Sequence, residues 1–215
     1  MNLVKKKNTN DMNYRVFIQR VVYRLLDPML LFLLRCHVTP NVVTVAGFVG
    51  NAVAACLLAC GCALWGGTVI LLSGLMDMMD GRLARLGGLS SPFGALLDSS
   101  LDRYSELLTL SGVAMLLFRA GGDWLWAVAA TFGAIAGSMM VSYVRARAEG
   151  LGVECKTGFM QRPERVVVTA VAAVAAGATA DLMWLAAGMT AIAVLSNVTA
   201  LWRLKHCHDT MDAAK

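Results

Sequence analysis

The sequence predicts an all-α integral membrane protein, an N-terminal interfacial amphipathic helix followed by six transmembrane helices, and three observations predict it. Apolar residues make up 58% of the 215-residue chain and charged residues only 15%, a balance far from the soluble average and suited to a bilayer as solvent. The apolar runs are long, covering 42–76, most of 93–144, and 166–202. The last of them, about 37 positions at ~1.5 Å per residue, would make a helix of ~55 Å against a hydrocarbon core of ~30 Å, so it must fold back once. Third, lysines and arginines fall on one side when the chain is threaded through an even number of spans, as the positive-inside rule requires.

The elements follow in order. The N-terminus is basic and polar and lacks a short apolar run ending at small residues, so no cleaved signal peptide is expected. Between 14 and 35, Phe17, Val21, Leu25 and Leu26 alternate helically with Arg20, Arg24 and Asp27, the pattern of a helix lying along the membrane surface, which Pro28 bends or interrupts. Glycine-rich breaks around 61–67 and 177–181 supply turns within the first and last runs. The resulting spans are 42–61, 67–86, 93–118, 124–145, 164–179 and 182–203. The organisation is thus a cytoplasmic N-terminus with its interfacial helix (1–40), a six-helix domain (41–205) and a cytoplasmic tail (206–215).

With both termini in the cytoplasm, the basic residues at 5–7, Arg15, Arg20, Arg24, Arg35, Arg82, Arg85, Arg145, Arg147, Lys156, Arg162, Arg165, Arg203, Lys205 and Lys215 all lie inside, and only Arg119 falls clearly outside. The net charge of +5 is then a topology signal for a multi-pass protein of the cell membrane, with attraction to anionic lipid as a second use. Nucleic acid is not an expected partner. The six cysteines show no zinc spacing; they read as small apolar residues. His37, His206 and His208 have no carboxylate or cysteine pattern beside them that would make them metal ligands.

The chemistry is carried by four acids. Asp77 and Asp80 stand at i and i+3 near the end of the second span, and Asp98 and Asp102 at i and i+4 near the start of the third, so each pair shares a helical face. The short connection 86–92 makes the two helices antiparallel neighbours and brings four carboxylates to one depth, facing the cytoplasm. Bare carboxylates at that depth are costly and repel one another. Hard oxygen ligands suit Mg²⁺, Mn²⁺ or Ca²⁺, and two divalent ions neutralise four acids and suit displacement at phosphorus. Two alternatives stay open on spacing alone: ion pairs with Arg82, Arg85 and Arg103, or an ion pathway in a metal or proton transporter. Gly81 permits close approach of a ligand, Arg85 can grip a diphosphate, and Gly94 keeps the third span slim one turn before Asp98.

Together these residues read D-x2-D-G-x2-A-R-x8-G-x3-D-x3-D, from Asp77, Asp80, Gly81, Ala84 and Arg85 to Gly94, Asp98 and Asp102. The pattern resembles the full signature of the CDP-alcohol phosphotransferase family, and the likeness extends to an interfacial helix followed by six spans. The resemblance implies a homodimer with one cytoplasm-facing active site per protomer, holding two Mg²⁺ ions or Mn²⁺. It implies that Asp77, Asp80 and Asp98 ligate metal and that Asp102 both touches metal and takes the proton from the attacking hydroxyl. It places CDP-diacylglycerol against Gly81, Ala84, Arg85, Gly94, Ser91 and the entry to the first span at Pro40, Asn41, Val42 and Val43. Ser91 and Asn41 could equally serve as a loop or helix-start residue.

A second basic constellation bears on the acceptor. The fourth span ends with Ser142, Arg145, Arg147 and Glu149, and the fifth opens with Arg162, Pro163, Glu164 and Arg165. Arginines at two facing helix ends would form a pocket whose planar forks match a phosphate monoester, although they could instead be positive-inside anchors. The arrangement resembles the phosphatidylinositol-phosphate synthase branch, where the acceptor is inositol 3-phosphate. A departure at Arg145, where that branch often has lysine, leaves room for another acceptor. Synthesis of phosphatidylglycerophosphate from glycerol 3-phosphate is the alternative within the same chemistry.

Overall fold

The structure is a computed structural model that describes residues 27–155 and 157–212. Among them every regular element is helical: residues 27–35 (α1), Pro40–Ala59 (α2), Ala63–Leu86 (α3), Pro92–Arg119 (α4), Leu125–Gly150 (α5), Arg162–Thr179 (α6) and Met183–Asp212 (α7), with a 3₁₀ turn Gly122–Trp124 before α5. The expected interfacial helix is described from Asp27 onward, with Pro28 inside the helical stretch; residues 14–26 lie outside the described residues, as do Lys156 and Lys215.

Six long helices stand where six spans were expected. Three are long and apolar enough to cross a membrane: Pro40–Ala59, Gly122–Gly150 and Met183–Asp212. The other three carry most of the candidate site residues, since α3 and α4 hold the aspartates and α6 opens on Arg-Pro-Glu-Arg. Helix boundaries follow local rules. Pro40, Pro92 and Pro163 sit in first turns, where a missing N–H is no loss. The turn between α6 and α7 reverses at Ala180, which adopts a left-handed conformation. It falls inside the break expected at 177–181.

The packing order differs from the expectation that α3 and α4 run as neighbours. Helix α2 lies against both of them; α3 packs in turn on α6, α6 on α7, α7 on α5, and α5 on α4. The six helices therefore close a ring in the order α2, α3, α6, α7, α5, α4. With little hydrophobic drive between helices in lipid, small residues set how closely they approach. A Cβ on Gly112 of α4 would lie 2.6 Å from the Ala55 carbonyl oxygen of α2, and one on Gly67 of α3 would lie 2.7 Å from the Ala170 carbonyl oxygen of α6. The interior is lined by small and branched apolar residues such as Ala54, Ile70, Leu110, Ala134, Ala173 and Met189. Outer faces carry exposed Val45, Val49, Phe118, Phe132 and Val194, as a lipid-facing surface should.

Helix α1 is held to the ring by two contacts. Leu30 is buried with Val43, Met79 and Leu83, and Asp27 accepts a hydrogen bond from Arg82 Nε at 2.8 Å. At the far end of the ring, Arg119 donates to the Ala59 carbonyl at 2.8 Å, satisfying the end of α2. Gly112→Val should drive α2 from α4 and cost about 1–3 kcal/mol of stability, read as a lower melting temperature in detergent. An unchanged melt would show that the two helices do not meet this closely.

Candidate metal centre and substrate cavities

Helical periodicity brings three of the four aspartates together. One carboxylate oxygen from each of Asp77, Asp98 and Asp102 lies within 4.8 Å of the others, all three side chains being partly buried. Asp80 is turned aside. Its Oδ2 accepts a hydrogen bond from Thr44 Oγ1 at 2.7 Å, and its Oδ1 accepts one from the Gly81 N–H. It is nevertheless adjacent to the centre, lining one small cavity with Asp77 and Asp102 and a larger one with Asp98. Thr44 went unnoticed in the sequence because a threonine in an apolar helix is ordinarily satisfied by its own preceding turn, a bond it also makes to Pro40 O.

The positive charge that these acids need comes from α6. Arg162 Nη1 donates to Asp77 Oδ2 and its Nη2 to Asp102 Oδ1, both at 2.7 Å. None of the three arginines weighed from sequence does this. Arg82 is engaged by Asp27, Arg103 donates to the Ser99 carbonyl of its own helix, and Arg85 lines a cavity. The donor set fits a hard divalent ion: carboxylate oxygens from two helices, with no sulfur or imidazole in the cluster and a guanidinium standing where a cation is required.

Beside this centre is a cavity of about 230 Å³ lined by Pro40, Asn41, Gly81, Ala84, Arg85, Ser91 and Gly94 together with Asp80 and Asp98. Seen from Gly81 the space is open, because an added Cβ would have only the Arg85 guanidinium within 4 Å. Ser91 has both roles weighed for it, since its Oγ caps α4 by accepting the Gly94 N–H at 3.0 Å while it lines the cavity. Val42 and Val43 are placed elsewhere. Val42 faces outward, 57% exposed, and Val43 is buried against Leu30, Met79 and Leu83. Successive residues on a helix point about 100° apart, so the face that offers Pro40, Asn41 and Thr44 to the cavity cannot also offer these valines.

The arginine constellation divides in two. Arg145 pairs with Glu149 at 2.9 Å on the exposed end of α5, Arg147 is exposed and Ser142 is half-buried. Arg165, by contrast, is 2% exposed and forks onto both oxygens of Glu106, while its Nη1 reaches the Met160 carbonyl at 3.1 Å. Arg162 and Arg165 line a cavity of about 600 Å³ shared with Asp77, Asn51, Ser73, Ser105, Glu106 and Gln161. The α5 residues are absent from that lining. Glu106 was not foreseen, although it stands one turn beyond Asp102 on the same face. Arg203 was read only as an anchor; it is buried and donates to Thr157 O and Val141 O, both at 2.7 Å, tying the α5–α6 connection to α7.

A charge pair buried this deeply is fragile to the loss of one member. Arg165→Met or Glu106→Gln alone should cost about 3–5 kcal/mol, and the double variant should recover most of that loss in thermal unfolding. Additive losses in the double variant would show that the two residues act separately.

The chain has counterparts among known proteins. Residues 37–202 match the CDP-alcohol phosphatidyltransferase family. The phosphatidylinositol phosphate synthase of Mycobacteroides abscessus is 34% identical over 184 residues, covering 84% of this chain and 82% of its own. The archaetidylinositol phosphate synthase of Methanothermobacter thermautotrophicus is 32% identical, covering 86% and 89%. Among solved structures, Mycobacterium tuberculosis phosphatidylinositol phosphate synthase with CDP-DAG bound superposes with a TM-score of 0.78 at 32% identity, covering 86% of this chain and 94% of that one. The same enzyme in complex with manganese and citrate gives 0.78 at 33% identity, covering 84% and 87%. With its signature aspartates gathered at one end of a helical ring and the match extending over nearly all the described residues, the chain belongs to the CDP-alcohol phosphatidyltransferase family.

Proposed function

We propose that the protein transfers the phosphatidyl group of CDP-diacylglycerol to inositol 3-phosphate, giving phosphatidylinositol phosphate and CMP. The observation that carries this reading is the juxtaposition of the 230 Å³ cavity, which holds the Gly81-Ala84-Arg85 face, with the aspartate centre through Asp80 and Asp98. A nucleotide diphosphate gripped by Arg85 would present its lipid-side phosphorus to those acids. The names and the CDP-DAG-bound structure of the relatives support the same donor and acceptor. An ion channel or carrier would have no use for a nucleotide-sized cavity beside its acids.

In this reading Asp77, Asp98 and Asp102 hold divalent metal, Mg²⁺ or Mn²⁺, and Asp80 completes a second position from the adjoining wall. Bound metal would supply charge neutralisation for the diphosphate and the leaving CMP. The chain's own residues do the rest. Gly81 lets the nucleotide approach the α3 backbone, Ser91 and Asn41 border its pocket, and Asp102 accepts the proton from the acceptor hydroxyl as the new P–O bond forms and the bond to CMP breaks. Ser142, Arg145 and Arg147 draw the acceptor's phosphate to the cytoplasmic end of α5, Arg162 meets it from α6, and Arg165 fixes α6 in place through Glu106. All six long helices cross the cell membrane in this reading, with the termini and the site facing the cytoplasm. Two such six-helix domains form the working dimer.

Purified protein supplied with CDP-diacylglycerol, Mg²⁺ and inositol 3-phosphate should release CMP. Excess chelator should abolish the release and Mn²⁺ should restore it. Free inositol should be a poor acceptor, because each charge-assisted hydrogen bond to a phosphate contributes ~1.5–3 kcal/mol. Faster consumption of glycerol 3-phosphate would move the protein to phosphatidylglycerophosphate synthesis. Asp102→Asn keeps the side-chain size while removing the base, and turnover should fall at least ~10²-fold; near-normal turnover would assign the proton to another group.

A further inference from the structure

The two arginines that open α6 are held in opposite ways. Arg165 has Nε, Nη1 and Nη2 all engaged, by Glu106 and the Met160 carbonyl. Arg162 reaches two carboxylates on two different helices, yet its Nε is buried without a hydrogen-bond partner among the described residues. A buried donor left unmade is costly. The first arrangement is a finished structural bond. The second is a guanidinium held by two charge-assisted contacts at 2.7 Å, with its Nε left over and its hydrogen-bonding capacity only partly used.

The oxygens that Arg162 occupies are Oδ2 of Asp77 and Oδ1 of Asp102, and these two residues belong to the three-aspartate cluster. A guanidinium donating into these carboxylates takes up lone pairs that a metal ion needs, and each cation repels the other. We infer that Arg162 is a resident counter-cation, which neutralises Asp77 and Asp102 when no metal is bound and must release them when a divalent ion enters. This inference rests on the reading of the aspartates as metal ligands. Three consequences follow from the geometry. Metal affinity is held down by the competing guanidinium. The metal-free protein is spared the repulsion of bare carboxylates converging inside the ring. And the fork released by metal binding is freed beside the 600 Å³ cavity that Arg162 lines, where it can meet an anionic acceptor.

The test measures Mn²⁺ binding to the purified full-length protein by loss of the free-ion electron paramagnetic resonance signal, with no lipid substrate present. Arg162→Gln removes the charge and should bind Mn²⁺ at least tenfold more tightly than wild type. Arg162→Lys retains a positive charge but cannot bridge two carboxylates with a planar fork, and it should fall between the two. The melting temperature gives an independent readout: Arg162→Gln should melt below wild type in excess chelator and level with it in saturating Mn²⁺. Equal or weaker Mn²⁺ binding by Arg162→Gln overturns the counter-cation role, as does an equal loss of melting temperature in both conditions, which marks a structural arginine. Affinity unchanged in Arg162→Lys replaces competition through the fork with repulsion alone and also overturns it. Absence of saturable Mn²⁺ binding by wild type overturns instead the metal reading on which it rests. If Arg162→Gln folds only with Mn²⁺ present, its chelator-dependent unfolding supplies the stability result, and the lysine variant supplies the affinity.

Discussion

The constraint on which the rest of this structure depends is the cost of placing several carboxylates inside a ring of helices with low-dielectric surroundings. Like charges brought together away from bulk water need compensation close at hand. Asp77 and Asp102 receive it from Arg162, Glu106 receives it from Arg165, and Asp80 receives hydrogen bonds from Thr44 and the Gly81 backbone. The guanidinium groups come from α6 and the hydroxyl from α2, while the Gly81 N–H belongs to Asp80's own helix. The requirement for neutrality therefore fixes which helices must meet: α6 has to stand beside α3 and α4, and α2 has to pass close enough for Thr44 to reach Asp80.

That neutrality is graded around the site. Glu106 and Arg165 form a closed pair one turn deeper than Asp102, and they serve as a floor on which the reactive end of α4 and the start of α6 are registered. The acids above them are less completely matched. Arg82, outside the centre, ties α3 to α1 through Asp27 and so steadies the wall formed by Gly81, Ala84 and Arg85. The same helix thus presents a satisfied face toward α1 and an electrostatically open face toward the cavities, a division that lets it carry acids without losing its packing.

The aspartate cluster was legible because it obeys helical periodicity within short stretches, and Asp77, Asp98 and Asp102 do meet. That Gly81, Ala84, Arg85 and Gly94 share one cavity wall was legible for the same reason. The order of helices around the ring was not, since spans such as α2 and α5 are apolar on nearly every face and their sequences do not distinguish one neighbour from another. The length of the α3–α4 connection suggested direct packing, but α2 takes that position. The carboxylate partners of the α6 arginines were not legible because they are remote: Asp77 is 85 residues before Arg162, and Glu106 is 59 residues before Arg165. A positive charge near a helix end looks the same in sequence whether it anchors to lipid, meets a substrate or closes an internal pair. Val42 and Val43 show the limit of a linear motif, because residues adjacent in the chain leave a helix in different directions.

Those long separations have a bearing on how the protein is made. The acids of α3 and α4 emerge from the ribosome well before the cations of α6, and at ~5–20 residues per second the 59 residues between Glu106 and Arg165 represent a wait of roughly 3–12 s. During that interval Asp77, Asp102 and Glu106 are without the guanidinium partners they have in the finished fold. Asp80 differs, because both groups that bond it, the Thr44 hydroxyl and the Gly81 N–H, are already made when α4 follows. Arrival of the Arg-Pro-Glu-Arg segment is what completes these pairs.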